Sequence, residues 1–396
     1  MKKKILFSYY SMDMGGSTTS LLSLMNSLNP EKYEVYLIMY RNTGNMISYI
    51  PKHVTILEPA VKEKSIYQNI KKICKILLSS TFYKGIFYQI RHKQRKYPIT
   101  LFSEIQAKYL SRKLDMKFDI GIGGMEGWPD KYIAYCVDAD LKIAWFHSLF
   151  SKISETPKLE QDWIDRITYI VNISNACEKD FLNYLPQYSK KCIVIKNLLN
   201  QELVCEKSKE KIQDNDYNDW KNYGGFKIIT VARLDPAKAL YRVIKSAYIL
   251  REKNCDFKWM IIGDGGEKEE LKKMILDYNL EQYVLLVGAK MNPYPFMKTS
   301  TIFCLTSHYE GTPVTVKESM MLAIIPVVTR YKSATDQIDN EVTGIIAENS
   351  DIAVVEPIYK LYKNKEFREK IRNRLINLTF DETQTIQYIE DVFNRN

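Results

Sequence analysis

The amino-acid sequence predicts an α/β protein made of two doubly wound, parallel-sheet domains. Three observations carry this. The chain has 396 residues, room for two domains of ordinary size, and its 45% apolar and 26% charged residues permit true cores. Short apolar runs of strand length alternate with amphipathic segments, the pattern of β/α units. The alternation pauses once, at the polar stretch 205–223 (CEKSKEKIQDNDYNDWKNY), and then resumes. That stretch lacks apolar periodicity and reads as an interdomain connection or an exposed insertion.

Taken in order, KILFSYY is a continuous apolar run, as a strand buried on both faces should be. TSLLSLMNSL follows as a helix and YEVYLIMY as a second strand. FDIGIGG, LKIAWFHS, ITYIVNIS and CIVIKNLL are further strands, each running into polar or small residues. In the second series the strands are FKIITVARL, FKWMIIGDGG, YVLLVGA, TIFCLTS and IIPVVTR. Between the first two, Leu240, Val243, Ile244, Ala247 and Leu250 recur at the spacing of one helix face.

Composition narrows the function classes. Seven cysteines occur without a C-x-x-C pair, which suits reduced thiols and a cytoplasmic protein. No run of 18 or more apolar residues is present, so no membrane-spanning helix is expected. The opening MKKKILFSYYSMDMGG reads as a strand entering a glycine-rich turn rather than as a signal peptide. The formal charge is +10, and residues 61–113 hold all of it: thirteen Lys or Arg against Glu63 and Glu104. Aromatic and aliphatic residues interleave with those charges, as at an anionic membrane surface; a solvated helix with its aromatics in the core is the plainer alternative. No nucleic-acid motif is present, and no nucleic-acid partner is expected.

In doubly wound sheets, ligands bind beyond the carboxyl ends of the strands, so the loops there carry the chemistry. In SMDMGGSTTSLL, Gly15 and Gly16 allow close backbone approach, and Ser17 or Thr18 is placed to cap the next helix. In VARLDPAK, Arg233 follows a strand and Lys238 sits five residues on, a planar fork and a point charge suited to phosphates. In IIGDGGEKEEL, Gly263 opens a tight turn. In SHYEGTPVTVKES, Glu310 lies beyond a strand end, Thr312 is the expected cap, Pro313 the expected first helical residue, and Glu318 falls about two turns in. That helix start is an anion site, while the carboxylates suit hydroxyls. A ligand with a sugar at one end, phosphates in the middle and a ribose at the other fits the set: a nucleotide sugar.

VARLDPAK and SHYEGTPVTVKESMMLAIIPVV resemble the signature of the family-4 retaining glycosyltransferases of the GT-B fold (glycosyl transferases group 1). Glu310 and Glu318 match that family's E-x(7)-E element, and MGGSTTSLL, IIGDGG and DQIDNEVTGIIAEN match further blocks in order. The family's usual glycine before the Arg-Leu pair is Ala232 here, a small change. The resemblance implies two Rossmann-like domains facing a central cleft: an acceptor-side domain over residues 1–200, a nucleotide-sugar domain over 201–380, and a C-terminal helix over 381–396 returning to the first domain.

It also implies roles. Arg233 and Lys238 would hold the donor diphosphate, Glu318 the ribose and Glu310 the transferred sugar. The backbone from Gly311 through Thr312, Pro313 and Val314 would hold sugar and phosphate, with Gly15, Gly16 and Gly263 lining the donor site. His147, ending a strand in AWFHS, falls where the family carries a histidine near the donor sugar. No metal or cofactor is expected. The implied partners are a nucleotide-sugar donor, UDP-linked, and a glycan or lipid-linked acceptor in surface-polysaccharide synthesis, with the protein cytoplasmic or peripheral on the inner membrane face. The rival readings are a non-catalytic GT-B partner subunit, a hydrolysing epimerase, and a metal-dependent transferase using Asp138 and Asp140 of VDAD.

Overall fold

The structure, a computed structural model, describes residues 2–61, 70–92, 98–154 and 156–395. It divides into two compact units, Met1–Leu198 with Thr383–Asn396, and Leu199–Glu382.

The first unit is built on a parallel sheet of seven strands: β1 (Lys3–Tyr9), β2 (Tyr33–Met39), β3 (Val54–Ile56), β4 (Lys117–Gly123), β5 (Asp138–Phe146), β6 (Tyr169–Asn172) and β7 (Cys192–Val194). Their order is β3-β2-β1-β4-β5-β6-β7, so the winding reverses between β1 and β4. Ile5 pairs in register with Val35 on one side and Ile120 on the other. The last five residues of β1 are buried, which is why its sequence is continuously apolar. Helix Gly16–Ser27 lays Leu21, Leu24 and Met25 into the core on one face of the sheet. Helix Thr383–Phe393 adds Ile389, Val392 and Phe393 to the same core, fastened by Lys32 to Glu390 at 3.0 Å and by Lys3 Nζ donating to the Phe393 carbonyl at 3.0 Å.

The second unit carries a parallel sheet of six strands: β8 (Phe226–Val231), β9 (Phe257–Ile262), β10 (Val284–Leu286), β11 (Ile302–Leu305), β12 (Ile325–Thr329) and β13 (Ile345–Ala347). The order β10-β9-β8-β11-β12-β13 places the reversal between β8 and β11. Both units are therefore doubly wound Rossmann-like domains, as expected from the alternation.

Three local expectations change. Strands β3 and β13, of three residues each, add to the expected set: unlike the equally short β7 and β10, neither sits in a longer apolar run. Residues 205–223 are not a bare connection: helices Gln201–Lys207 and Asn215–Asn222 occupy much of this stretch within the second unit. The latter helix is held by Trp220, fully buried and donating through Nε1 to the Phe296 carbonyl at 3.1 Å, by Tyr217 against the Phe296 ring, and by Asp214 and Asp216 on Lys290 at 2.7 Å. Of the helix's own side chains only Trp220 is buried, so no apolar period marks it. Asp138 and Asp140 fall at the amino end of β5, where Asp140 meets Lys117 at 2.7 Å in solvent.

The basic segment forms helices Ile70–Leu77, Ser80–His92 and Ile99–Ile105, the last running into a wider turn over Gln106–Leu110. Five of its basic residues, Lys62, Lys64, Lys93, Arg95 and Lys96, lie outside the described residues. No helix among the described residues is long and apolar enough to cross a membrane.

Candidate active site

The loops after β8 and β11, the strands flanking the winding reversal, meet in the second unit. Beyond β8 the chain is tied to its neighbour by Ala232 N to Ile262 O (3.0 Å) and Leu234 N to Asp264 O (3.0 Å). Asp235 then caps the short turn Pro236–Lys238, accepting from Ala237 N at 3.1 Å. The β11 loop is sewn to this turn: His308 N donates to Ala237 O at 2.9 Å, and Thr306 Oγ1 to Lys238 O at 3.1 Å.

That backbone frame places Lys238 Nζ 2.6 Å from Glu310 Oε1, the same oxygen that accepts from Ser307 Oγ at 2.6 Å. Burial and the Glu310 charge together push the nearby Tyr331 phenol well above its usual range, so it stays protonated. Arg233 turns outward, its guanidinium 3.2 Å from Asp235 and largely solvated. Two cations thus stand on one strand end, Lys238 held and Arg233 free to reorient.

The following helix spans Val314–Met321. Its boundary lies one residue later than the sequence suggested: Pro313, at φ −64° and ψ 120°, is the N-cap, and the Thr312 hydroxyl donates to Gly311 O at 2.8 Å. The first-turn amides of such a helix point back along its axis, here towards Gly311–Pro313. Glu318 is buried within the helix and has partners different from those of Glu310. It accepts from Tyr294 Oη at 2.8 Å. Burial pushes its carboxyl up to about 7, against the opposing effects of the Tyr294 bond and the Lys207 charge. Neither Tyr294 nor Lys207 lies in a motif that pointed to a site, so sequence reasoning missed both.

Gly263 has a structural duty. A Cβ there would stand 1.8 Å from the Ala232 carbonyl oxygen, so the approach of the two loops alone requires glycine. Gly15 differs: its backbone is extended at φ 174°, and a Cβ would meet nothing within 4 Å. Packing therefore gives no reason for glycine at 15. Gly15 is the N-cap of helix Gly16–Ser27, and the expected side-chain cap is absent there. Ser17 instead accepts from Tyr9 Oη at 2.9 Å, and Thr18 Oγ1 donates to Asp13 O at 2.7 Å. The helix start is thereby left to backbone amides.

His147 follows β5 directly. Its backbone amide donates to Glu126 Oε1 at 2.7 Å, and Nε2 lies 3.1 Å from Gly124 O. A carbonyl can only accept, so Nε2 carries the proton. Burial lowers the pKa of the ring, outweighing Glu126, Gly124 and Asn197, and keeps it neutral. Nδ1 is then an acceptor; Asn197 stands nearby, yet no group among the described residues meets hydrogen-bond geometry with it. Among the described residues no cluster of three or more His, Cys, Asp or Glu is placed to hold a metal ion.

Residues 213–377, which contain Arg233, Lys238, Glu310 and Glu318, match the family model for glycosyl transferases group 1. These residues belong to the group 1 glycosyl transferases. Relatives of the group 1 domain act on glycans in bacteria. A Campylobacter jejuni N-acetylgalactosaminyltransferase, named for a diphospho-undecaprenol acceptor, is 27% identical over 47% of this chain and 48% of its own length. An Escherichia coli UDP-Gal:α-D-GlcNAc-diphosphoundecaprenol α-1,3-galactosyltransferase is 27% identical over 42% of this chain and 45% of its own. Each alignment thus spans less than half of the relative. The likeness in fold extends over the rest of the chain. Anabaena HepE in complex with UDP and glucose superposes with a TM-score of 0.71 at 14% identity over the full length of both chains. TarM superposes at 0.67 and 15%, covering 100% of this chain and 99% of its own. Both units therefore have the GT-B architecture.

Proposed function

We propose that this chain is a retaining, metal-independent glycosyltransferase. It moves a sugar from a nucleoside-diphosphate donor, UDP-linked, to a hydroxyl of a glycan or lipid-linked acceptor in surface-polysaccharide synthesis. The observation that carries the reading is the Lys238–Glu310 pair, set at a strand end beside the solvated Arg233. Cations for a diphosphate and a carboxylate for sugar hydroxyls stand in one backbone frame. Glu318, with Tyr294 fixing one oxygen, is suited to the paired hydroxyls of a ribose. The bound UDP and glucose of HepE and the undecaprenol-linked acceptors of the relatives favour the same substrate classes.

In the reaction, the sugar C1–O bond to phosphate breaks and a C1–O bond to the acceptor forms on the same face. A leaving phosphate oxygen takes the acceptor proton, so no carboxylate base is required. Arg233, Lys238 and the amides at the start of helix Val314–Met321 stabilise the charge growing on the diphosphate. A panel of nucleotide sugars with glycan and undecaprenyl-linked acceptors, read by mass spectrometry, tests the activity, and NMR of the product linkage tests retention. Release of free sugar or an epimer, with no glycosylated acceptor, would overturn it.

A further inference from the structure

Helix Ser80–His92 is amphipathic in the inverted sense. Tyr83, Phe87 and Ile90, spaced i, i+4 and i+7, form one stripe. That stripe faces solvent: Phe87 is 64% and Ile90 72% exposed. The inner face carries a buried polar contact instead: Thr81, almost fully buried, donates to Glu104 Oε1 at 3.0 Å, while Lys84 meets Asp162 at 2.8 Å at the solvated edge of the helix. The exposed apolar side chains continue in the turn before this helix and on the helix Ile99–Ile105 packed against it, with Leu78 77% and Ile99 71% exposed and Phe102 half exposed.

Of the seventeen large apolar side chains exposed among the described residues, seven fall between residues 77 and 102. Isolated exposed apolar residues are ordinary, whereas a cluster of this kind marks an interaction surface. Lys75 and Arg91 are exposed on the same helices, and residues 61–113 carry the whole positive excess of the chain.

We propose that this outward face docks on an anionic lipid bilayer, with Tyr83, Phe87 and Ile90 entering the headgroup boundary and the basic residues on the phosphates. Charge complementarity selects this occupant. A second copy of the chain would bring one strongly basic segment against another, while an anionic leaflet attracts each Lys or Arg and accepts the apolar stripe. The proposal goes beyond the donor chemistry and stands without it, because docking is measured in the absence of nucleotide sugar.

The test is co-sedimentation of the full chain with phosphatidylglycerol/phosphatidylcholine vesicles, and with phosphatidylcholine alone, at low and high salt. Wild-type protein is expected to pellet with anionic vesicles only, and less so at high salt. The combined variant Tyr83→Ser, Phe87→Ser, Ile90→Ser should weaken that binding by roughly tenfold or more, and so should Lys75→Glu with Arg91→Glu. All five positions are at the surface, so unchanged circular dichroism should show intact folds. Wild-type protein left in the supernatant at low salt would overturn the proposal. So would a lipid-independent dimer, seen by sedimentation velocity and dispersed by the serine variant, since the face would then be an interface between copies.

Discussion

Lys238 Nζ and Glu310 Oε1 lie 2.6 Å apart although the residues are separated by 72 positions in the chain, and only 16% and 10% of their side chains remain exposed. Removing one partner leaves the other half-desolvated. Lys238→Ala should therefore cost about 1–3 kcal/mol of stability as well as turnover. Arg233 makes a solvated contact with Asp235, of the kind that contributes about 0–1 kcal/mol. Arg233→Ala should leave the melting curve nearly unchanged while reducing kcat/KM by about a hundredfold, as expected for loss of transition-state charge stabilisation. Thermal melts beside single-turnover assays separate the two effects; unchanged turnover in both variants would remove the donor-site assignment.

Glu318 should make both stability and nucleotide binding depend on pH. Its carboxyl titrates near 7 in the folded chain, above the ordinary 4.5. Between those values the folded state holds a proton that the unfolded state has released, so stability falls as pH rises through this window. Glu318→Gln should flatten that fall and raise stability above neutral pH by on the order of 3 kcal/mol. Ribose hydroxyls donate best to the ionised carboxylate, so affinity for UDP should rise from about pH 6 to about pH 8. Tyr294→Phe removes a bond that lowers the pKa and should move the affinity curve to higher pH. Calorimetric titration of UDP across pH checks both variants.

Two glycines should respond differently to alanine. Gly263→Ala forces a Cβ against the Ala232 carbonyl and should destabilise the second unit by several kcal/mol, on the order of 3 or more. Gly15→Ala has open space and an ordinary extended backbone, so its melting temperature should match wild type. If the loop approaches the donor, the same variant should raise KM for the nucleotide sugar. Equal KM and equal stability would show that Gly15 has no part in binding.

Activity should survive EDTA, because charge stabilisation is assigned to Arg233, Lys238 and helix amides. Asp138→Ala and Asp140→Ala should remain active, since these residues sit at the amino end of β5. Loss of activity in EDTA, restored by Mn²⁺, together with inactive Asp138 and Asp140 variants, would favour the metal-dependent rival.

Strand and helix alternation was legible from the sequence because apolar periodicity is a local property, and β1 and helix Tyr241–Glu252 declare themselves over a few residues. The loops bearing Arg233, Lys238, Glu310 and Glu318 could be placed at strand ends for the same reason. Strands β3 and β13 lack the apolar run that marks the equally short β7 and β10, and helix Asn215–Asn222, with Trp220 as its one buried side chain, has no apolar period to read. Only the tertiary structure decided that Lys238 meets Glu310 and that Tyr294 holds Glu318, because those contacts depend on sheet order and on loops joined across the chain. Spacing likewise put Tyr83, Phe87 and Ile90 on one helix face. Which way that face points was settled by the buried contact of Thr81 with Glu104, on the side of the helix away from Tyr83, Phe87 and Ile90.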